Sequence, residues 1–355
     1  MSRFLSKKLT SLTPYTPGEQ PKQQQYIKLN TNESPFSPSP GVRAVVTEES
    51  RNLQLYSDPE CLRLREKLAQ VYGVRPERII ATNGSDEVLY FAFMAFADQD
   101  RPIAFADLTY GFYPVFAQLI GIPYERIPLK ENFAMDPRDY CGLGKTIVIA
   151  NPNAPTGLAL SLGDIEKILR TNPENVVIVD EAYVDFGGES AVKLIDRYEN
   201  LLVTQTFSKS RSMAGARLGF GIGNEKLIQD LNTIRNSVNP YNVNRMTQAA
   251  GIAALEENDY YMENCRIIQE NRNYTRKKLQ ELGFEVLPSL TNFVFAKSGK
   301  TEGKSLYQKL KDRGILVRHF DQDRVRDYIR ITIGTKEQMD KLLLAIESIE
   351  KEWGL

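Results

Sequence analysis

The sequence predicts an α/β fold, with a mostly parallel central sheet and flanking helices, followed by a smaller α+β domain. Three observations carry this reading. Between residues 78 and 222, short and almost wholly apolar runs recur, most of them separated by stretches of helix length. Such runs are typical of parallel strands buried on both faces. Past about residue 245 the pattern changes to a long polar-rich helix and then short strands alternating with helices, which suits a small, antiparallel α+β unit. Finally, 355 residues are too many for one small core and suit two domains.

Taken in order, residues 1–40 read as an extended arm. Pro14, Pro17, Pro21, Pro35, Pro38 and Pro40 fix φ and remove backbone donors, so no helix runs through them. Such an arm needs a surface to lie against. Residues 60–73 carry Leu62, Leu64, Leu68, Val71 and Tyr72 on a helical stripe that Gly73 can end. The predicted strands of the large domain, residues 41–250, are 78–82, 103–106, 146–150, 176–179, 201–206 and 218–222. The small domain, residues 251–355, is predicted to hold helices at 258–282, 304–313 and 336–350. Its strands fall at 284–287, 292–297, 315–320 and 328–333. A cleft is expected between the two domains.

Composition narrows the function. Lysine plus arginine equals aspartate plus glutamate at 45 each, so no global field favours nucleic acid or an anionic membrane. Three widely spaced cysteines form neither a disulfide framework nor a metal-ligand pattern, and fit a reducing, cytoplasmic setting. The first fifteen residues lack the apolar core of a secretory signal, and no stretch approaches the roughly 20 apolar residues of a membrane helix. The single histidine, His319, excludes a multi-histidine metal site and leaves acid-base work to lysine or tyrosine. It is expected in a structural or surface role.

Four segments follow predicted strands. In Thr206-Phe207-Ser208-Lys209-Ser210-Arg211, Lys209 would emerge at a strand's carboxyl end, where open α/β sheets place ligands. Partly desolvated beside Arg217, with Arg211 as a second candidate neighbour, its amine would be lowered in pKa and nucleophilic, able to form a Schiff base. Read alone, the segment is equally a solvated basic loop. In Asp180-Glu181-Ala182-Tyr183, a carboxylate and a phenol stand at another strand tip. Asp180 is suited to holding a pyridine nitrogen protonated, although aspartate there also caps turns. Gly84-Ser85-Asp86-Glu87 opens an apolar helix whose free N–H groups make a phosphate seat or, more plainly, an ordinary cap. In Asn151-Pro152-Asn153-Ala154-Pro155-Thr156-Gly157, a rigid turn aims a side chain such as Asn153. All four lie at one sheet edge, and their conjunction is far rarer than any part.

With these segments in place, nearly the whole chain resembles the fold-type I pyridoxal-phosphate enzymes. Leu12-Thr13-Pro14-Tyr15, Lys28-Leu29-Asn30-Thr31-Asn32-Glu33-Ser34-Pro35, Leu55-Tyr56, Thr109-Tyr110-Gly111 and Tyr328-Ile329-Arg330-Ile331-Thr332-Ile333-Gly334-Thr335 are similar to the histidinol-phosphate aminotransferase family in the same order. The resemblance implies that Lys209 holds pyridoxal 5'-phosphate covalently and later shuttles a proton. It implies that Asp180 pairs with the ring nitrogen and Tyr183 with the ring oxygen. Tyr110 would stack on the ring. Ser85, Ser208 and Arg217, helped by Thr206 and the Gly84–Asp86 turn, would hold the cofactor phosphate. Tyr56 would reach the cofactor phosphate of a neighbouring subunit, which implies a homodimer with shared sites.

Arg330 and Arg318, joined by Tyr15, would bind the anionic end of either histidinol phosphate or glutamate, because a guanidinium fork accepts phosphate and carboxylate alike. One position departs from the family: asparagine usually precedes the Pro-Thr-Gly turn, and here it is Ala154, so Asn153 or Tyr183 with water must serve. The implied reaction is transamination between histidinol phosphate and 2-oxoglutarate. Aromatic amino-acid transamination is the alternative within the fold, and a cofactor-binding sensor is the alternative outside catalysis.

Overall fold

The computed structural model describes residues 2–20 and 26–352; Pro21 of the expected arm lies outside them. After a short arm strand, β1 (Ile27–Lys28), seven strands build the main sheet: β2 (Ile79–Thr82), β3 (Ile103–Ala106), β4 (Tyr124–Ile127), β5 (Thr146–Ala150), β6 (Val177–Asp180), β7 (Leu201–Thr206) and β8 (Gly219–Gly223). Their order is β2-β8-β7-β6-β5-β3-β4. From β4 to β7 all pairings are parallel. The apolar runs alternate between the two faces. Ile147 and Ile149 of β5 enter the core on one side with Val177, Val179, Leu201 and Val203, whereas Val148, Ile178 and Leu202 enter the core on the other. Fully burying each such side chain stabilises the fold by about 1.5–3 kcal/mol, which is why these short runs become strands despite their length.

Two details differ from the expectation. β8 runs antiparallel to both neighbours, because the connection from Thr206 to Gly219 holds only the turn Ala214–Ala216 and a parallel return needs a crossover, usually a helix. β4 has no apolar run at all. It is an edge strand, Tyr-Glu-Arg-Ile, exposed along most of its length, so the pattern that revealed its buried neighbours is missing.

The antiparallel return has a consequence for the site. It brings Gly219 to the edge where β2 and β7 end, opposite Thr82 on one side and Thr206 on the other. The helix Ser85–Phe96 starts against this point, and a Cβ at residue 219 would overlap the Ser85 nitrogen and the Gly84 carbonyl carbon. Only glycine allows the approach.

A second, four-stranded antiparallel sheet is formed by β9 (Glu285–Val286), β10 (Phe293–Lys297), β12 (Arg318–His319) and β13 (Tyr328–Thr332), in the order β12-β13-β10-β9. Ile268 and Leu279 of the helix Asn258–Glu281, Leu306 and Leu310 of Gly303–Asp312, and Leu342 and Ile346 of Lys336–Glu352 cover Val294, Ile329 and Ile331 of this sheet. The expected single strand 315–320 is split. Its first part, β11 (Ile315–Leu316), pairs in parallel with β1 of the arm, and only the second part joins β13. The arm therefore lies against the small sheet, with Leu29 buried in that core, and residues 30–33 are carried to the cleft. Pro40 occupies the first turn of the helix Pro40–Glu49, where its missing N–H is harmless.

Replacing Gly219 by alanine is expected to lower stability by about 1–3 kcal/mol, the usual result of overpacking. A lower urea midpoint with an unchanged slope is the measurement that checks it.

Candidate active site

A cavity of about 270 Å³ opens at the edge where β2, β5, β6 and β7 end and β8 begins, and Lys209, Asp180, Tyr183, Ser85 and Arg217 are among the residues that line it. The four segments therefore do converge, since parallel strands present their carboxyl ends to one side. Lys209, three residues past β7, donates from Nζ to the Thr31 carbonyl of the arm at 3.2 Å. Burial pulls its pKa down to about 8, and the charge of Arg330 adds to the effect, while Glu33 and Asp86 oppose it. A useful share of free amine is thus present near neutrality.

Asp180 ends β6 and is 5% exposed. Its Oδ2 accepts from the Tyr113 hydroxyl at 2.7 Å, but Oδ1 is buried without a hydrogen-bond partner among the described residues. Burial raises the carboxyl to about 6, and the Tyr113 bond holds it from rising further. The neighbouring Glu181 points away, accepting from Ser190, the Ala191 N–H and Gln205. Its role is to tie the strand tip down.

Gly84 has φ +85°, and the helix Ser85–Phe96 follows it with no side-chain cap. The Ser85 and Asp86 N–H groups make no hydrogen bond among the described residues, while that of Glu87 donates to the Gly84 carbonyl at 3.2 Å. Arg217 reaches the same place. Its Nη1 donates to Ser208 Oγ at 3.3 Å and its Nη2 to Asp86 Oδ2 at 3.1 Å. Thr206 and Ser208 line the cavity beside them. Asp86 also accepts from the Tyr110 hydroxyl at 2.8 Å, which holds that ring over the opening.

Beside the cavity, the arm and the small sheet bring up Tyr15 and Arg330, which do not line it, although the Arg330 charge acts on Lys209. Tyr15 stacks on Phe112 at 4.3 Å and lies 6.2 Å from Tyr110. Arg330 lies over Phe293 and Phe320 at 5.3 and 5.6 Å, and its Nη2 donates to the Asn30 carbonyl at 3.0 Å. Its buried Nε has no partner among the described residues. Burial lowers the Arg330 pKa, so this cation gains by meeting an anion. Arg318 instead staples the arm, donating to the Thr16 and Pro17 carbonyls at 3.2 and 3.3 Å.

Asn153 and Arg211 are placed elsewhere, and Tyr56 lies where a residue meant for a neighbouring subunit would. Asn153 ties its turn to the segment after β3: it accepts from Thr109 Oγ1 at 2.7 Å and donates to the Leu108 carbonyl at 3.0 Å and Thr156 Oγ1 at 3.1 Å. It is Pro152 and Ala154 that line the cavity. Both prolines of the turn follow cis peptide bonds. Tyr56 is 79% exposed and stacks on Tyr241, outside the cavity of its own chain. Arg211 pairs with Asp185 at 3.0 Å, so only Arg217 of the two arginines stands near Lys209. His319 bonds the Arg326 carbonyl at 2.7 Å, a structural contact as expected. Conversely, the roles of Tyr113, Thr31, Asn32 and Glu33 were not read from the sequence. Tyr113 stands three residues after Tyr110, one helical turn away, and that spacing was the available signal.

Comparison with known proteins decides the family. The model for aminotransferase class I and II matches residues 24–346. The chain belongs to this aminotransferase family. Within it, the chain is 50% identical over 353 residues to a histidinol-phosphate aminotransferase of Brachyspira hyodysenteriae, covering 99% of this chain and 100% of the relative. A Marinomonas enzyme of the same description is 49% identical, with 98% and 100% covered. Among solved structures, histidinol-phosphate aminotransferase from Sinorhizobium meliloti in complex with pyridoxal-5'-phosphate superposes with a TM-score of 0.89 at 24% identity, covering 99% of each chain. That likeness establishes the fold. No helix among the described residues of this aminotransferase is long and apolar enough to cross a membrane.

The raised pKa of Asp180 sets a pH dependence for the cofactor-free protein. The folded pKa of about 6 lies above the ordinary 3.8, so the folded state holds this proton more tightly than the unfolded chain and loses stability as pH rises from about 4 to 6. The loss is about 3 kcal/mol at 1.36 kcal/mol per unit. Asp180→Asn should therefore unfold at higher urea than the parent at pH 7, and the advantage should vanish at pH 4.

Proposed function

We propose that this aminotransferase carries pyridoxal phosphate on Lys209 and exchanges the amino group of histidinol phosphate with 2-oxoglutarate, giving imidazole-acetol phosphate and glutamate. The observation that carries the reading is the presence at adjacent strand tips of a desolvated amine and a buried carboxylate whose Oδ1 lacks a partner among the described residues. The residues fit the cofactor. Asp180 Oδ1 is an acceptor awaiting a ring N–H, and an uncapped helix start with Ser85, Ser208 and Arg217 suits a phosphate. When bound, the cofactor supplies an electron sink for the pair left when the substrate α-hydrogen departs.

The rest is done by the chain. Lys209 Nζ takes and returns the proton at the substrate carbon, which its lowered pKa permits near neutral pH. Asp180 keeps the ring nitrogen protonated, because an anion held out of water is stabilised most by a proton placed directly against it. Tyr183 donates to the ring oxygen, and Tyr110 covers the ring face. Arg330 and Tyr15 hold the substrate's phosphate or carboxylate, while Arg318 keeps the arm closed over them. The two half-reactions share this anchor, as a guanidinium fork requires no change to accept either anion.

The same reading makes the enzyme a cytoplasmic homodimer. Tyr56 and Tyr241 are exposed beside Leu53 and Leu55, an apolar surface from which Tyr56 would reach the partner's cofactor phosphate.

Two outcomes test the reading. Lys209→Ala should bind the cofactor without a borohydride-trapped adduct and lose about 10³-fold or more in kcat; an active variant would remove the lysine from the mechanism. Arg330→Ala should raise KM for histidinol phosphate about 10–100-fold, the worth of a charge-assisted contact. Glutamate formed from histidinol phosphate and 2-oxoglutarate is the product to measure. A higher kcat/KM for phenylalanine than for histidinol phosphate would move the assignment to aromatic amino acids.

A further inference from the structure

Asn32 takes no part in the chemistry above, yet it is 1% exposed and sits in the left-handed region at φ +58°. All of its polar groups are engaged. Its backbone carbonyl accepts from Asn292 Nδ2 at 2.8 Å. Its backbone N–H, which can only donate, gives to Thr332 Oγ1 at 3.0 Å. The single proton of that hydroxyl then goes to Asn32 Oδ1, also at 3.0 Å.

This sequence of bonds fixes the orientation of the amide. With Oδ1 turned to Thr332, Nδ2 faces Tyr183, and the phenolic oxygen accepts from it at 2.9 Å. The opposite orientation would leave the Thr332 proton, on a residue 3% exposed, without an acceptor, which buried hydroxyls avoid. Because Tyr183 accepts here, its own proton is free. Among the described residues the hydroxyl makes no second hydrogen bond, and Tyr183 lines the cavity. The proline turn gives no competing help: Ala154 has no polar side chain, and Asn153 is bound to Leu108 and Thr156.

We propose that Asn32 is a positioning residue that, through Thr332, turns the phenolic proton of Tyr183 into the cavity, toward the ring oxygen of the cofactor. The inference rests on the reading of Lys209 and pyridoxal phosphate given above. It also explains a local choice in the sequence. Left-handed φ is tolerated by glycine, asparagine and aspartate, but of these only asparagine can both accept from Thr332 and donate to Tyr183.

Two variants that keep this backbone separate hydrogen-bond polarity from packing. Asn32→Asp preserves shape and the Thr332 bond, but its carboxylate accepts the Tyr183 proton and draws it out of the cavity. Asn32→Gly deletes the group and leaves that proton free to turn. In full-length protein loaded with pyridoxal phosphate, the readout is the pH midpoint at which the absorption band of the bound cofactor shifts, with kcat beside it. Asn32→Asp is expected to raise the midpoint by about one pH unit, since the ionised ring oxygen loses a donor, and to lower kcat about 10–100-fold. Asn32→Gly is expected to do less on both counts. In a Tyr183→Phe background the two should become equal.

A residue that merely fills space would give the reverse order, with glycine the worse, and that order or an unmoved midpoint in Asn32→Asp overturns the proposal. Thr332→Val gives a second route should Asn32→Asp fold poorly, because it frees the amide to flip; it should also raise the midpoint, and no movement counts against the relay. Wild-type protein with no such band and no adduct at Lys209 would instead overturn the underlying cofactor assignment.

Discussion

Two ionisable side chains held out of water at neighbouring strand tips organise this molecule. β6 and β7 are parallel, with Asp180 opposite Thr204, so the end of one strand and the loop after the next meet at the same depth. Neither Asp180 nor Lys209 is satisfied by the protein alone. Among the described residues the carboxylate has one partnered oxygen and one orphan, and the amine hydrogen-bonds a single carbonyl. Each is shifted toward its neutral form by burial, the acid upward and the base downward. A stable protein has no use for such an arrangement, since buried unpaired groups are costly. A binding site does, because the ligand supplies what is missing.

The remaining structure keeps those two groups dry and in register. The helix Ser85–Phe96 can start beside them only because residue 219 has no side chain. The arm closes the other side through main-chain pairing of β1 with β11. That pairing brings the Thr31 carbonyl to Lys209 and the Asn30 carbonyl to Arg330. Lys28, Thr31 and Glu33 form a local clamp of hydrogen bonds and an ion pair that holds this stretch of arm in shape. Arm, large sheet and small sheet thus share one site, although no one of them contains it.

Much of this was legible in the sequence because the signals were local. The strands 103–106, 146–150 and 201–206 were bounded to the residue, since each carries a short apolar run and is buried along its whole length. Lys209 and Asp180 were readable as strand-tip residues for the same reason. What escaped depends on contacts between distant segments. Tyr113 touches Asp180 from a helix 67 residues earlier, and Asn32 meets residues 151 and 300 positions away. The side chain of Asn153 looked aimed at a ligand, but hydrogen bonds to Thr109, Leu108 and Thr156 turn it inward. Edge strand β4 lacked a run because an edge needs none, and the reversal of β8 turned on a connection too short in helix to cross the sheet.

The balance of charge completes the argument. The chain as a whole is neutral, so attraction of anionic ligands must come from the cavity. Lys209 and Arg217 face Asp86, Asp180 and Glu33 along its wall, with Arg330 beyond. Of these, the pair Arg217–Asp86 is the most exchangeable: both side chains are partly exposed, and ion pairs of that kind contribute only about 0–1 kcal/mol. A phosphate arriving at the helix start can therefore draw Arg217 from Asp86 at little expense, while Asp86 keeps its bond to Tyr110. The weak pair preorganises the arginine without competing with the ligand. Arg330 is poised differently, by burial and an Nε without a partner among the described residues, so its gain on meeting an anion is larger. A readily shared cation thus lines the cavity and a starved one stands beyond it, an order that suits a resident phosphate and an exchanging substrate respectively.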